Sequence, residues 1–309
     1  MGEKMILDGI WKLTAVSPRE NNYGITDGST FDMPVPGSVQ DCLIDLMVVP
    51  DPYLGCNELE TLFIGQSDWK ISRSFDLDKR KDIHYVLRLE KVDTIATLYI
   101  NGALVSSFDN EHRIYELDVT SFLHDGENSI ELCFTSSEKV AVERAKSLDH
   151  PVPCSHYRYD SPNRNLVRKA QCNAAWDWGL CLQTIGIYES IVLYGCRDYY
   201  LSSFSAIPVK ASDGWNLEIK ARVTGFSYCR ESLTVSVAGI SRTVEYDIFS
   251  RENVLVMSVP VPDTAVETWW PNGYGSQSLY DVVASIGSQS LRRRIGFRTI
   301  EVRNNRTMG

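Results

Sequence analysis

The sequence has few features of a secreted, membrane-spanning or nucleic-acid-binding protein. Residues 1–20 contain no apolar stretch after a basic start, and no run of about 18 apolar residues, the minimum for a membrane helix, occurs. Acidic residues number 40 against 31 lysines and arginines, which gives a formal net charge of -9. Because nucleic acids and anionic membranes bind clustered basic side chains, we expect neither as a partner. The composition therefore predicts a cytoplasmic protein.

Residues that bind metals are also sparse. The five histidines are scattered, and none of the eight cysteines forms a C-x-x-C pair or has a histidine at zinc-finger spacing. The sequence thus predicts no metal site and no cofactor. In a cytoplasmic protein, the cysteines are expected to be reduced thiols.

Strand-type alternation dominates the chain, and this pattern predicts an all-β protein. The segment 69–77 places Trp69, Ile71, Phe75 and Leu77 on one face. Similar segments follow up to residue 134, and they are separated by turn sequences such as Asn101-Gly102, which tolerates positive φ. Short strands at this spacing are typical of a sandwich or jelly roll.

Helical patterns are few. Ser38 is placed as an N-cap before Val39, Leu43 and Leu46, which share one face of a helix. Residues 138–146 suggest a second short helix, and the rest of the chain is predicted to be strand or loop.

The pattern divides the chain near Gly195. Residues 148–185 form a long irregular stretch, and regular alternation restarts at Trp215 and continues to Ile286. About seven strands in this second part favour an immunoglobulin-like sandwich. We predict one domain over 1–195, a second over 196–303, and the start of a linker over 304–309.

The segment Asn165–Gly179 is the most informative for function, because it places Asp177 between Trp176 and Trp178, after Arg168 and Lys169. Indole rings stack on the apolar face of a pyranose, and a carboxylate accepts hydrogen bonds from sugar hydroxyls. On residue types alone, the other interpretation, a tryptophan pair in the core with an aspartate capping a turn, is favoured over the sugar site.

Five motifs in order resemble the β-mannosidase branch of glycoside hydrolase family 2, and the resemblance extends over nearly the whole chain. They are Trp11–Leu13 with Met33–Val39, Pro50–Glu58 with Asp68-Trp69, Val167–Cys172 with Trp176–Gly179, Trp269–Gly275 with Leu279-Tyr280, and Arg294–Arg298. The resemblance implies a galactose-binding-like jelly roll followed by an immunoglobulin-like sandwich and, in the intact enzyme, a (β/α)8 barrel.

The resemblance also implies an activity and a set of site residues. Members of the branch hydrolyse terminal β-mannose residues with retention, through two glutamates on the barrel, so no catalytic residue is expected in this chain. The carried-over substrate contacts are Asp177, Trp176 and Arg168, and the implied partners are a β-mannoside or manno-oligosaccharide and the chain's own barrel. Trp178 is expected in the core. The motif Trp269–Gly275 is expected to pack in a core or between domains.

Two dipeptides resemble the Asn-Glu sequence of a catalytic acid/base. They are Asn57-Glu58 and Asn110-Glu111, but Glu58 falls on a position of the first domain and Glu111 in a hairpin loop.

The chain departs from the family pattern at three places. Ala175 stands where the family favours glycine, Leu180 replaces a proline, and Tyr188-Glu189 replaces a Trp-Arg pair. These changes bear on the geometry of the loop around Asp177.

Two other functions remain open from the sequence. A stand-alone carbohydrate-binding module would use the same tryptophans and aspartate without any barrel. A β-galactosidase or β-glucuronidase of the same family would share the domain order, although the tryptophan-flanked aspartate favours the mannosidase branch.

Overall fold

The computed structural model describes residues 3–153, 161–176 and 179–302. Contacts divide the chain into two compact units at the Gly195–Cys196 bond, one of them formed by Lys4–Gly195. Strands dominate both units. Within the described ranges, no helix is both long enough and apolar enough to cross a membrane.

The described part of the first unit is built from fifteen strands and three helices. The strands are β1 (Glu3–Ile6), β2 (Gly9–Val16), β3 (Thr30–Val35), β4 (Gly37–Ser38), β5 (Asp68–Leu77), β6 (His84–Glu90), β7 (Val92–Asp93), β8 (Ile95–Ile100), β9 (Ala103–Phe108), β10 (Ile114–Asp118), β11 (Gly126–Thr135), β12 (Ala174–Trp176), β13 (Gly179–Cys181), β14 (Gly186–Ile187) and β15 (Val192–Cys196). The helices are α1 (Val39–Asp45), α2 (Asn57–Gly65) and α3 (Ser137–Lys146).

Two sheets form the sandwich of the first unit. One has the order β3-β2-β5-β11-β8-β9, and the other has the order β1-β15-β6-β10. The core lies between them, with Trp11 and Leu98 from the first sheet and Tyr85 and Leu193 from the second among its buried members. Two small sheets, β4-β14-β7 and β12-β13, complete the unit.

The local predictions for this unit are largely confirmed. Trp69, Ile71, Phe75 and Leu77 are all buried on β5. The Asn101-Gly102 turn joins β8 to β9 with φ values of 51° and 76°, the left-handed conformation that a two-residue hairpin loop requires.

Of the three helices, two were predicted. The side chain of Ser38 caps α1 by accepting a hydrogen bond from the backbone N–H of Asp41, and α3 covers the segment expected at 138–146. The prediction of strand or loop for 57–65 is wrong, because α2 occupies that segment. This helix buries Glu58 and Thr61 beside Phe63 and Ile64, and these polar residues on the inner face break the apolar periodicity that signals a helix.

The second unit is an immunoglobulin-like sandwich, with seven strands in its described part. They are β16 (Tyr199–Ala211), β17 (Gly214–Gly225), β18 (Cys229–Val237), β19 (Ile240–Ile248), β20 (Glu252–Pro262), β21 (Tyr280–Ile286) and β22 (Gln289–Ile295). The sheet β16-β17-β20 faces the sheet β19-β18-β21-β22, and their inner faces share a core of its own.

The motif Trp269–Gly275 departs from the core prediction. Trp270 is 50% exposed and Tyr274 is 79% exposed, so a place in the core is wrong for both side chains. Trp269 is half-buried, and its ring lies under the Arg298 guanidinium at 4.8 Å. Next to Arg298, Phe297 is fully buried, so the motif Arg294–Arg298 supplies a core residue of the second unit.

Candidate functional site

The strands β12 and β13, which precede and follow Asp177-Trp178 in the sequence, pair as a short antiparallel hairpin. Trp176 pairs with Gly179, and Ala174 pairs with Cys181. Asp177 and Trp178 connect the two strands and lie outside the described residues, as does the side chain of Trp176. The predicted sugar contacts of Asp177 and Trp176, and the core position of Trp178, therefore remain predictions. The structure does describe the two strands of the hairpin, β12 before these residues and β13 after them.

Ala175 gives this hairpin an unusual backbone. Its φ is +67°, the left-handed region that alanine rarely adopts, and its side chain is fully buried. This is the position where the resembling family favours glycine, and the geometry supplies the reason, since glycine enters this region without a steric penalty. The hairpin keeps its conformation here despite the alanine.

Glu58 on α2 holds the return strand of the hairpin. Its Oε1 accepts a hydrogen bond from the backbone N–H of Cys181 at 2.6 Å, and the residue is 6% exposed. Close by, a Cβ added to Gly65 would lie 2.4 Å from the Cβ of Gln183, so the glycine lets the end of α2 approach the chain that follows β13. Glu58 thus has a buried structural partner, as its first-domain position suggested.

A buried ion pair between Asp93 and Lys169 lies behind the hairpin. The side chains are 0% and 3% exposed, and Lys169 Nζ contacts both carboxylate oxygens of Asp93. Lys169 Nζ also donates to the carbonyl oxygen of Thr184 at 2.7 Å. Both charges therefore have partners inside the protein, which buried charges require.

Three hydroxyl groups complete the shell around the Asp93 carboxylate, and that of Thr94 donates to Asp93 Oδ1. Thr184 Oγ1 donates to Asp93 Oδ2 at 2.8 Å, and the Tyr188 hydroxyl donates to the same oxygen at 2.7 Å. Tyr188 is one of the departures from the family pattern, and in this chain its hydroxyl satisfies a buried carboxylate. The accompanying Glu189 forms an exposed ion pair with Lys91 at 2.9 Å.

Asn173 connects this buried cluster to both ends of the hairpin. Its carbonyl oxygen accepts the backbone N–H groups of Leu182 and Gln183 at 3.1 and 2.9 Å, which closes the base of the hairpin. Its side-chain amide donates to Thr184 Oγ1 at 2.8 Å. The base of the hairpin is thereby tied to the Asp93–Lys169 pair through Thr184.

The electrostatics of the cluster follow from burial and from the ion pair. Burial alone would raise the pKa of Asp93, but the charge and hydrogen bond of Lys169 outweigh it, so the pKa lies below its ordinary value. Burial and the neighbouring Asp93 carboxylate both raise the pKa of Tyr188. Tyr188 therefore stays protonated and acts as a hydrogen-bond donor.

Glu111, from the other dipeptide that imitates a catalytic acid, lies beside the same cluster. Burial, followed by the charge of Asp93, raises the pKa of Glu111. Its Oε2 is buried and has no hydrogen-bond partner in the described structure, and its backbone N–H donates to the carbonyl oxygen of Arg168 at 3.0 Å. This loop therefore packs against the segment that carries Lys169.

Arg168 and Lys169 lie in different environments. Lys169 is buried in the ion pair, whereas Arg168 is exposed and its side chain is accessible to a ligand. The sequence motif points to Arg168, whereas no motif indicates the roles of Asp93, Thr184 and Tyr188. The available signal was a charged Asp93 among apolar neighbours in the segment 92–100, which predicts a buried partner.

The cysteines and the acidic groups show no sign of a metal centre in the described ranges. The seven cysteines found there are free thiols, and no three His, Cys, Asp or Glu side chains come together as metal ligands. Burial, as the main cause, raises the pKa of the Cys42 and Cys181 thiols to about 11 each, so both stay protonated at neutral pH.

Comparison with known proteins identifies the family. Residues 11–189 match the family model described as "Glycosyl hydrolase 2 galactose-binding domain-like", and this region contains α2, the hairpin and the Asp93–Lys169 pair. The chain belongs to glycoside hydrolase family 2. The expected galactose-binding-like first domain is thus confirmed.

Curated relatives of this family 2 chain include β-mannosidases. A probable β-mannosidase of Caenorhabditis elegans is 33% identical over 96% of this chain, and the β-mannosidase of Mus musculus is 27% identical over 97%. The crystal structure of a β-D-mannosidase from Dictyoglomus thermophilum superposes on 97% of the chain with a TM-score of 0.85 and 26% identity. The predicted mannosidase branch is thereby confirmed.

The chain matches only part of each of these proteins. It spans 34% and 35% of the two curated relatives and 36% of the Dictyoglomus chain, and the matched part is their N-terminal portion.

Proposed function

We propose that this chain is the non-catalytic N-terminal portion of a retaining exo-β-mannosidase, and that its first domain helps to bind the terminal mannose. The similarity to β-mannosidases over nearly all of the chain supports this assignment. The observation that carries it is the anchoring of the hairpin β12–β13, held by Glu58 on one side and by the Asp93–Lys169 cluster on the other. Anchored strands on both sides of Asp177 in the sequence are the support that a substrate contact needs.

In this proposal, Asp177 accepts hydrogen bonds from two hydroxyl groups of the mannose, and Trp176 is the neighbouring contact. The exposed Arg168 precedes the buried Lys169 and provides a third, cationic contact. A carboxylate acceptor that is covered by the bound sugar discriminates between sugars that differ in the orientation of a hydroxyl, because a misplaced hydroxyl leaves the carboxylate unpaired.

The chemistry itself would belong to the barrel. Retaining hydrolysis needs an acid/base and a nucleophile about 5 Å apart, and the resemblance assigns both carboxyl groups to the barrel that follows this region in the family. Within this chain, the Glu58 carboxylate accepts a backbone hydrogen bond in a buried position, which makes it unsuitable as a nucleophile.

The first test is the activity of the purified chain. We expect the chain to hydrolyse 4-nitrophenyl β-D-mannopyranoside no faster than the uncatalysed reaction in buffer. Turnover at an enzyme-like rate, lost on the substitution Asp177→Ala, would show that this chain contains a complete active site and would refute the proposal.

The second test is a chimera in which residues 1–302 replace the matching portion of the Dictyoglomus β-mannosidase. The unsubstituted chimera must hydrolyse the aryl β-mannoside for the comparison to be made. Asp177→Asn in this chimera should then lower kcat/KM by about 100-fold, the effect of two hydrogen bonds to a charged group. Asp213→Asn, at an exposed turn of the second domain, is the matched control. A loss below threefold for Asp177→Asn would exclude it as a substrate contact.

A further inference from the structure

The motif Pro50–Glu58 forms one wall of a cleft in the first domain that the proposed function does not use. The cleft has a volume of about 460 Å³, within the usual range of small-molecule sites. Its lining includes Asp41, Asp51, Tyr53, Asn173, Thr184 and Tyr188. The start of α1, the loop before α2 and the base of the hairpin therefore meet at one concave surface.

Two carboxylates in the lining of the cleft, Asp41 and Asp51, can accept hydrogen bonds from a ligand. Asp51 Oδ1 accepts the backbone N–H of Tyr53 at 2.9 Å, and Asp41 Oδ2 accepts the hydroxyl of Ser38 at 2.6 Å. In each case one carboxylate oxygen orients the side chain. Both aspartates are exposed. Such an arrangement suits a ligand rich in hydroxyl donors.

Tyr53 supplies an apolar face beside these acceptors. Its side chain is 76% exposed, although the adjacent Pro52 is buried. It is the single exposed aromatic residue in the described part of the first domain, and it borders this cleft. An exposed ring next to hydroxyl acceptors is the combination that binds a pyranose, because the ring packs on the sugar C–H groups.

The charge of the lining limits the class of ligand. The described lining contains two aspartates and no lysine, arginine or histidine. A uronic acid or a phosphorylated sugar would meet like charge without a compensating cation, whereas a neutral pyranose would not.

The floor of the cleft is rigid before any ligand binds. Thr184 and Tyr188 line it while their hydroxyls donate to the buried Asp93 carboxylate at 2.8 and 2.7 Å. Asn173 is held by the hydrogen bond from its side-chain amide to Thr184 Oγ1 at 2.8 Å. A site that is already ordered loses little conformational entropy on binding.

We propose that this cleft binds one neutral pyranose ring, with Tyr53 packed against a face of the sugar and Asp41 and Asp51 accepting its hydroxyl hydrogen bonds. This sugar site goes beyond the proposed mannosidase role, because it requires neither Asp177 nor a catalytic barrel. Its position at the base of the hairpin suits a second sugar unit of a glycan.

The experiment is a titration of the whole 309-residue chain with methyl β-D-mannopyranoside, followed by NMR and by calorimetry. We expect saturable binding with a Kd of about 1 mM, the weak range of a single small contact surface. Methyl β-D-glucuronide should not bind. Tyr53→Ala and Asp51→Asn should each weaken binding about tenfold, and Tyr274→Ala, an equally exposed tyrosine of the second domain, should leave it unchanged.

Two results would overturn the cleft site. Absence of binding up to about 50 times the expected Kd would remove it, and the mannosidase proposal would be unaffected. Binding that is insensitive to Tyr53→Ala and Asp51→Asn but is abolished by Asp177→Ala would place the sugar on the hairpin tip instead, in support of the mannosidase proposal. Since Tyr53 and Asp51 are exposed, thermal unfolding of both variants should match that of the parent chain, which separates lost binding from lost folding.

Discussion

Ala175 combines a left-handed φ of +67° with complete burial in the hairpin that carries the candidate sugar contacts. A non-glycine residue in this region costs roughly 1–2 kcal/mol, and the surrounding structure must compensate for it. Bonds on both sides of Ala175, from Glu58 to Cys181 and from Asn173 to Thr184, provide that compensation. Alanine in place of the family's glycine therefore strains the backbone locally and leaves the fold unchanged.

The strain predicts the outcome of replacing this alanine by glycine. Ala175→Gly loses a buried methyl group and backbone stiffness but removes the left-handed penalty, so the free energy of unfolding should change by less than about 0.5 kcal/mol. Ala174→Gly is the control, because Ala174 is equally buried with a φ of -100° and should lose about 1.5 kcal/mol. Urea unfolding measures both. Equal losses would show that Ala175 is unstrained.

The residues that sequence reasoning predicted correctly are those with local partners. The Ser38 cap bonds an N–H three residues away, and the Asn101-Gly102 turn needs only its own backbone. Asp93 and Lys169 are separated by 76 residues, and Glu58 and Cys181 by 123. Single-sequence patterns contain no information on such pairings, so the cluster that holds the hairpin was found only in the structure.

At the scale of elements, the segment predicted to be irregular over 148–185 contains the hairpin β12–β13, and α2 replaces a predicted strand or loop. Both elements depend on tertiary contacts. The strands of the hairpin have three residues each, too few to be stable alone. The Asp93–Lys169 pair and Glu58 supply the interactions that such short strands lack.

Removal of the lysine tests how strongly this cluster holds its surroundings. Lys169→Met leaves the Asp93 carboxylate buried without its cation, and we expect a loss of about 3–5 kcal/mol in the free energy of unfolding of the first domain. Lys91→Met is the matched control, since Lys91 pairs with Glu189 at the exposed surface, and its loss should leave the free energy of unfolding nearly unchanged. Urea unfolding measures the change in stability of each variant. Hydrogen exchange at the backbone amides of residues 181–184 then measures how firmly the segment next to the pair is held. Similar losses for the two variants would contradict the role of the buried pair.

At the scale of the whole molecule, the strand-type alternation of the sequence predicted the all-β class, and the structure confirms it. The compact units of the structure meet at Gly195–Cys196, and each has its own buried core. The motif Trp269–Gly275 was expected in a core or between domains, and the exposure of Trp270 and Tyr274 excludes the core for these two side chains. Aromatic content alone does not distinguish a buried ring from an exposed one.

Separate cores predict separate folding. Residues 4–195 and residues 196–302, expressed as two polypeptides, should each unfold cooperatively in urea, because each contains both sheets of its own sandwich. Circular dichroism and tryptophan fluorescence should give coincident transitions for each piece. A piece that lacks a cooperative transition would show that its core depends on the other.

The pairing of β1 with β15 has a consequence for biosynthesis. The strand Glu3–Ile6 leaves the ribosome first, and its neighbour in the sheet, Val192–Cys196, is translated almost two hundred residues later. At roughly 5–20 residues per second, β1 waits about 10–40 seconds for β15, and the edge of β6 that β15 will cover stays open for about 5–20 seconds. The nascent first domain therefore presents an unpaired strand edge to chaperones and to neighbouring chains throughout most of its own synthesis.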